Sequence, residues 1–228
     1  MNSQEEAKAL EKALDAAKDY ADAVFMGSLK EFGGILSDTV GYWRLKNRIR
    51  LLLKSKQFLE ANGIVPRKLL PDIFVPLIED GGNVEDVKLS DMFASLLAGH
   101  LDPNQHEYIH PSYTKVLSQL SPLDARTMLI FRDLASDRQY RELGFTGAKL
   151  TVQDTADKLS CSVSAMNLSC INLDRLGILT HDGFMSPKDH PMPELFENNP
   201  KFQFYRISEY GIAFCDACQY KIKREGAA

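Results

Sequence analysis

Apolar residues recur at steps of three and four along most of this chain, and polar, glycine or proline breaks divide the pattern into helical segments. The pattern is densest from Val87 to Leu134. Leu89, Met92, Phe93, Leu96, Leu97 and His100 share one helical face. Ser90 is a natural N-cap, and the run His100-Leu101-Asp102-Pro103-Asn104 stops the helix, because proline disfavours helix in the residue before it. A second, short helix is predicted to start near Pro111, with Tyr113, Val116, Leu117 and Leu120 inward. A third opens on Ser121-Pro122-Leu123-Asp124, which supplies an N-cap, a proline at the first helical position and an acid in the first turn.

Upstream, Glu5 to Phe25 reads as one helix. Ala7, Leu10, Leu14, Ala17, Ala21 and Val24 form a heptad seam that is mostly alanine and therefore thin. Such a helix needs a partner surface, and docking on its own domain, or a mobile arm, is favoured over a dimer seam. Gly27 to Gly41 holds four glycines and reads as a hinge before a close helix crossing. A membrane-surface or pore-forming reading of this segment is interrupted by Lys30, Glu31 and Asp38.

Tyr42 to Glu60 is a basic amphipathic helix with Leu45, Ile49, Leu52 and Leu59 as its buried stripe. Arg44 and Arg48 stack on one flank, and Lys46, Arg50 and Lys54 on the other. Arg44, Arg48, Arg50 and Lys54 are the candidate contacts to nucleic acid or to an anionic surface. The commoner explanation of such a row is a solvated face whose cations pair with nearby acids. Trp43, the one tryptophan, is expected in the core. Asn62-Gly63 ends the helix. A short helix is predicted from Pro71, ended or kinked by Pro76, with an acidic loop over 79–83 behind it.

The last hundred residues follow a different order. Helix Pro122–Ser136 precedes a polar loop over 137–149 and a short strand over Leu150–Val152. A short helix Gln153–Leu159 follows, then a longer one over Val163–Leu176, capped by Ser160 or Ser162 and closed by Gly177. Met166, Ile171, Leu173 and Leu176 are its expected apolar positions. Ile178–Thr180 and Phe202–Ile207 read as two strands, separated by Met185–Lys201, which is too proline-rich for a strand. Gly211–Tyr220 closes the chain. This order predicts a winged helix-turn-helix. Its second motif helix offers Ser164, Asn167, Ser169 and Asn172 but one cation, Arg175, beside Asp174. Phosphate positioning needs several lysines or arginines, so a protein-contact or dimerisation role is preferred over DNA reading.

Two clusters raise metal chemistry. His100, His106 and His110 with Asp102 and Glu107 match no ligand spacing, and surface or capping roles fit them better. Cys161, Cys170, Cys215 and Cys218 would make a four-thiolate zinc site only with a tighter first clasp than nine residues. Buried structural thiols are expected, with no metal and no cofactor.

Composition narrows the class further. The 228 residues are 44% hydrophobic and 25% charged, as in ordinary soluble proteins, with material for one large or two small domains. A net charge of −4 argues against a general nucleic-acid binder. The start, MNSQEEAKALEKAL, lacks an apolar signal core, and no run approaches the ~20 apolar residues of a membrane span, so the cytoplasm and reduced thiols are expected and a membrane role is not. The phosphate-loop, zinc-protease, hydrolase-elbow and dinucleotide-binding signatures do not occur, and an enzyme is not expected.

Five segments occur in a telling order: Gly33–Leu52, Leu69–Gly81, Asp91–Pro103, His110–Ala125 and Arg206–Cys218. The most specific pieces are ASLLA…DP and HPS…LSPLDA. Together they resemble the abortive-infection alpha (Abi-alpha) family of bacterial proteins, over Gly33 to Cys218. The resemblance implies a bacterial protein, a mainly helical fold and a role in defence against phage, and it carries over no catalytic residue.

The expectation is therefore a mainly α protein in three parts: an N-terminal amphipathic helix over 1–30, a central helical region over 31–120 and a winged-helix-like domain over 121–228. Function is expected to be a non-enzymatic interaction or effector role, through a protein partner or self-association. A nucleic-acid-binding regulator and a membrane-acting effector are the other two classes.

Overall fold

The computed structural model describes residues 3–26, 42–105, 108–136, 149–184, 199 and 203–219. It is mainly helical with one small antiparallel sheet. The chain divides into two compact units, one drawn from Met1–Gln119 and Ala217–Ala228, the other from Leu120–Asp216. The glycine-rich hinge over 27–41, the loop over 137–148 and the proline-rich stretch over 185–198 lie outside the described residues.

The first unit is built on helices α1 (Ser3–Val24), α2 (Tyr42–Glu60), α3 (Pro71–Gly82), α4 (Val87–Leu101) and α5 (Tyr113–Leu117). Helix α1 buries Ala17, Tyr20, Ala21 and Val24 and packs on α2, so the second half of the thin seam is covered within its own unit, while Leu10 and Leu14 are half-buried. Its end is tied down by backbone: the Leu69 amide donates to Val24 O at 2.7 Å and the Met26 amide to Leu69 O at 2.9 Å. Helix α2 has the bounds its pattern predicts; Ile49, Leu52 and Leu59 of the stripe are buried, Leu45 is half-buried, and Leu51 is buried beside them. Trp43 is a correction: it is 40% exposed, not core. It stands two residues, about 200° of helical turn, from Leu45, which puts it on the opposite face from the stripe.

Helix α3 corrects a second expectation. Pro76 does not end it, and the presumed acidic loop is its last turn, through Gly82. Packing outweighs the backbone cost, because Phe74, Leu77, Ile78, Gly81 and Gly82 are all buried. The two glycines permit the close crossing. A Cβ on Gly81 would lie 2.3 Å from Leu51 Cδ1, and one on Gly82 2.6 Å from Arg48 Cγ. Helix α4 is the core of this unit: from Leu89 to Leu101 every residue but Asp91 is buried. Each large apolar side chain so placed contributes roughly 1.5–3 kcal/mol. Its cap is Asp86, whose carboxylate accepts from the Leu89 amide at 3.0 Å, and Ser90, the predicted cap, is inside the helix and buried. Helix α5 buries Tyr113, Val116 and Leu117 as its spacing predicts.

The second unit runs α6 (Pro122–Ser136), β1 (Leu150–Thr151), α7 (Val152–Leu159), α8 (Val163–Arg175), β2 (Leu179–Phe184), β3 (Gln203–Ile207) and α9 (Glu209–Ala217). The sheet order is β1-β3-β2, all antiparallel, with Leu150 opposite Tyr205 and Leu179 opposite Ile207. Ser121 and Asp124 cap α6 reciprocally: the Ser121 amide donates to Asp124 at 2.8 Å and the Asp124 amide to Ser121 Oγ at 3.1 Å. Thr151 and Asp154 do the same for α7. Of the two candidate caps of α8, Ser162 is used, and Ser160 instead ends α7 in the left-handed conformation, φ 52°. Helix α9 starts two residues earlier than predicted because Ser208 caps it, accepting from the Gly211 amide at 2.8 Å. A Cβ on Gly211 would sit 2.2 Å from the Ile178 carbonyl oxygen, so the approach of α9 to the backbone just before β2 requires glycine.

Candidate functional site

The basic residues of α2 do not form one open row. Arg44 is half-buried, with its guanidinium 5.5 Å from the Trp43 ring centre. Arg48 is 6% exposed and lies against Gly82. Arg50 is half-buried, with Nε and Nη2 enclosed and without a hydrogen-bond partner. Lys54 is ion-paired with Asp91 of α4. The 3.6-residue repeat places these cations on different flanks, and two of them serve packing within the unit.

Helix α8 shows a clearer division. Ser169 donates to Asp124 at 2.6 Å and Asn172 Nδ2 to the same carboxylate at 3.0 Å, so two of the polar residues considered for base reading are turned onto α6. Arg175 reaches back to Asn172 Oδ1 at 2.8 Å, and Asp174 accepts from the His181 amide at 3.3 Å. The outward stripe is Ser164, Leu168, Ile171 and Arg175, at helical steps of four, three and four. Ile171, expected inside, is 49% exposed and Leu168 is 66% exposed, because Met166, Ser169, Cys170 and Leu173 take the inner face.

The thiols are Cys161, half-buried, and Cys170, Cys215 and Cys218, buried; none is in a disulfide. Burial first, then Asp124, pushes the Cys170 thiol up to about 12; burial first, then Asp216, does the same for Cys215. Among the described residues no group of three or more His, Cys, Asp or Glu is placed to hold a metal ion.

One site was not legible beforehand. In the first unit a cavity of about 600 Å³ is walled by α3, the end of α4, Gln105, Tyr108, Ile109, Pro111 and α5. Asp72, Pro76 and Asp80 form one stripe of α3 along it, and Arg67, His100 and Lys115 contribute from the surrounding segments. Arg67 Nε donates to the His100 carbonyl at 2.8 Å, and the Arg67 amide donates to Leu101 O at 2.8 Å, so the guanidinium is anchored at the end of α4. His100 is 8% exposed, and burial, then the Arg67 charge, pushes its imidazole down to about 4. It is neutral at pH 7. Of the ligands considered in the histidine loop, His100 is the one among the described residues that lines the cavity. His110 is exposed and its Nδ1 accepts from the Ser112 amide at 3.1 Å, while His106 and Glu107 lie outside the described residues. The signal that could have marked the cavity was the Asp72-Pro76-Asp80 stripe, two acids flanking a proline at i, i+4, i+8 on a helix whose other charged residue is Glu79.

A family model described as abortive infection alpha matches residues 44–218, which is most of the chain and spans both units. The chain belongs to the abortive infection alpha family. No curated protein and no solved structure matches it. The match starts at Arg44 and ends at Cys218, so it contains all but the first two residues of α2, all of α3 to α9, the cavity and the outward stripe of α8, and leaves α1 outside. Among the described residues no helix is long and apolar enough to cross a membrane.

Proposed function

We propose that this abortive infection alpha protein acts in defence against phage as a non-enzymatic cytoplasmic protein that works through protein–protein contacts. We read Leu120–Asp216 as a winged helix-turn-helix, with α7 and α8 as the motif helices and β2–β3 as the wing. The order α6-β1-α7-α8-β2-β3-α9 and the antiparallel β1-β3-β2 sheet support that reading. The observation that carries the protein-contact role is the outward stripe of α8. Its centre is Leu168 and Ile171, and its one cation, Arg175, is engaged by Asn172. A helix laid against phosphates would present lysine and arginine there, whereas an apolar pair on an exposed helix face suits a protein surface.

The test is phage challenge of cells carrying the protein. Wild type lowers plaque formation. Leu168→Asp with Ile171→Asp abolishes the protection without lowering the melting temperature, and Arg175→Gln leaves it intact. The reading is overturned if Arg175→Gln alone abolishes protection, which a nucleic-acid reader would show, or if wild type gives none.

A further inference from the structure

The cavity of the first unit gathers charged side chains of both signs at its rim: Arg67, Asp72 and Lys115 are exposed and Asp80 is half-buried. The carboxylates of Asp72 and Asp80, the Lys115 ammonium and the terminal nitrogens of Arg67 make no ion pair or hydrogen bond with any described residue, although all four groups line one cavity. His100 is 8% exposed and makes no side-chain hydrogen bond among the described residues, and its ring nitrogens keep access to solvent on the cavity wall. A neutral imidazole there offers one donor and one acceptor to a group that enters.

The charges are sorted by element. Both carboxylates stand on α3, eight residues and so about 12 Å apart along its axis. Between them Pro76 lacks the amide that would bond the Asp72 carbonyl, which leaves that carbonyl as a further acceptor on the same stripe. The donors come from elsewhere: Arg67 from the segment before α3, His100 from the end of α4 and Lys115 from α5. Among the described lining residues two cations stand against two carboxylates, a balanced set. A phosphate compound would need a positive excess, and a polyamine a negative one. Acceptors on one wall and donors on the others suit a molecule that carries an ammonium and an acidic group at separate ends.

We propose that this cavity binds a zwitterionic small molecule of about dipeptide size. Its ammonium meets one carboxylate of the α3 stripe, Asp80, and its carboxylate meets Arg67 and Lys115. The volume of about 600 Å³ falls within the range of small-molecule sites, roughly 300–1,000 Å³, and leaves room for a side chain on the apolar lining. Ile73, Ile109 and Pro111 supply that lining. The site is independent of the α8 surface and of the phage-defence role.

The experiment is calorimetric titration of the full chain with three unblocked dipeptides, Ala-Phe, Gly-Leu and Ala-Lys. Each is compared with its N-acetylated form and its C-terminal amide. At least one unblocked dipeptide binds, and each blocked form of it binds at least about tenfold weaker, which is 1.4 kcal/mol. Lys115→Gln reduces the preference for the free carboxylate, and Asp80→Asn the preference for the free ammonium, with melting temperatures checked so that loss of fold is not mistaken for loss of binding. Adenosine monophosphate and spermidine are the competing probes. The proposal is overturned if none of the unblocked dipeptides binds, if blocked and free forms bind alike, or if either competing probe binds more tightly.

Discussion

Ser169 on α8 donates to the carboxylate of Asp124 on α6 across 2.6 Å, with both side chains buried. The same carboxylate accepts from Asn172 and from the Ser121 amide, so one acid caps α6 and holds the face of α8 against it. This contact decides which side of α8 looks outward. Asp124→Ala leaves several buried donors unpaired and removes a cap, and should cost at least about 2 kcal/mol in denaturant unfolding. A loss under about 0.5 kcal/mol would mean that the network is not what fixes the helix.

Burial separates two leucines of the same size. Leu96 is fully buried in α4, and Leu168 is 66% exposed on α8. Leu96→Ala should cost about 2–5 kcal/mol, while Leu168→Ala should stay within about 0.5 kcal/mol of wild type. Comparable losses at both positions, measured by the same unfolding curves, would contradict the placement of α8.

His100 gives the stability a pH signature. Its folded pKa, about 4, lies below the ordinary value of 6.5, so the unfolded chain takes up a proton that the folded chain refuses. The contribution is fully present above pH 6.5, falls as pH drops from 6.5 to 4, and is constant below that. The total is on the order of 3 kcal/mol. The difference in unfolding free energy between wild type and His100→Gln should shrink over that window. A difference that stays flat from pH 7 to 4 would show that the imidazole titrates normally.

Thiol labelling should follow burial. Burial holds Cys170 and Cys215 up at about 12, and Cys218 is buried, so all three should resist alkylation at pH 8 until the chain unfolds. Half-buried Cys161 should react first. Mass spectrometry of the labelled native protein checks the order, and metal analysis of the same sample should find far less than one zinc per chain.

Much of this fold was legible because its helices are amphipathic with well-marked ends. Tyr42–Glu60, Pro122–Ser136 and the start of α8 at Val163 fall where spacing and caps put them. The misreadings have local causes. In Glu85-Asp86-Val87-Lys88-Leu89-Ser90 two residues compete to cap α4, and Asp86 wins because it adds a turn that buries Leu89. Pro76 and Gly81-Gly82 look like breakers, and the burial of Phe74, Leu77 and Ile78 overrides them. Trp43 and Ile171 are hydrophobic, yet their angular position on the helix puts both outside. The cavity was not legible, because it is assembled from residues 67, 72, 80, 100 and 115, and no short window contains that set.

The central claim is that α8 meets a protein through Leu168 and Ile171. The most direct measurement places a photo-crosslinking amino acid at position 168 and irradiates phage-infected cells. A protein adduct that survives nuclease and disappears with protease is the result the account predicts. An adduct removed by nuclease, or no adduct from a protein that still protects its host, would contradict it.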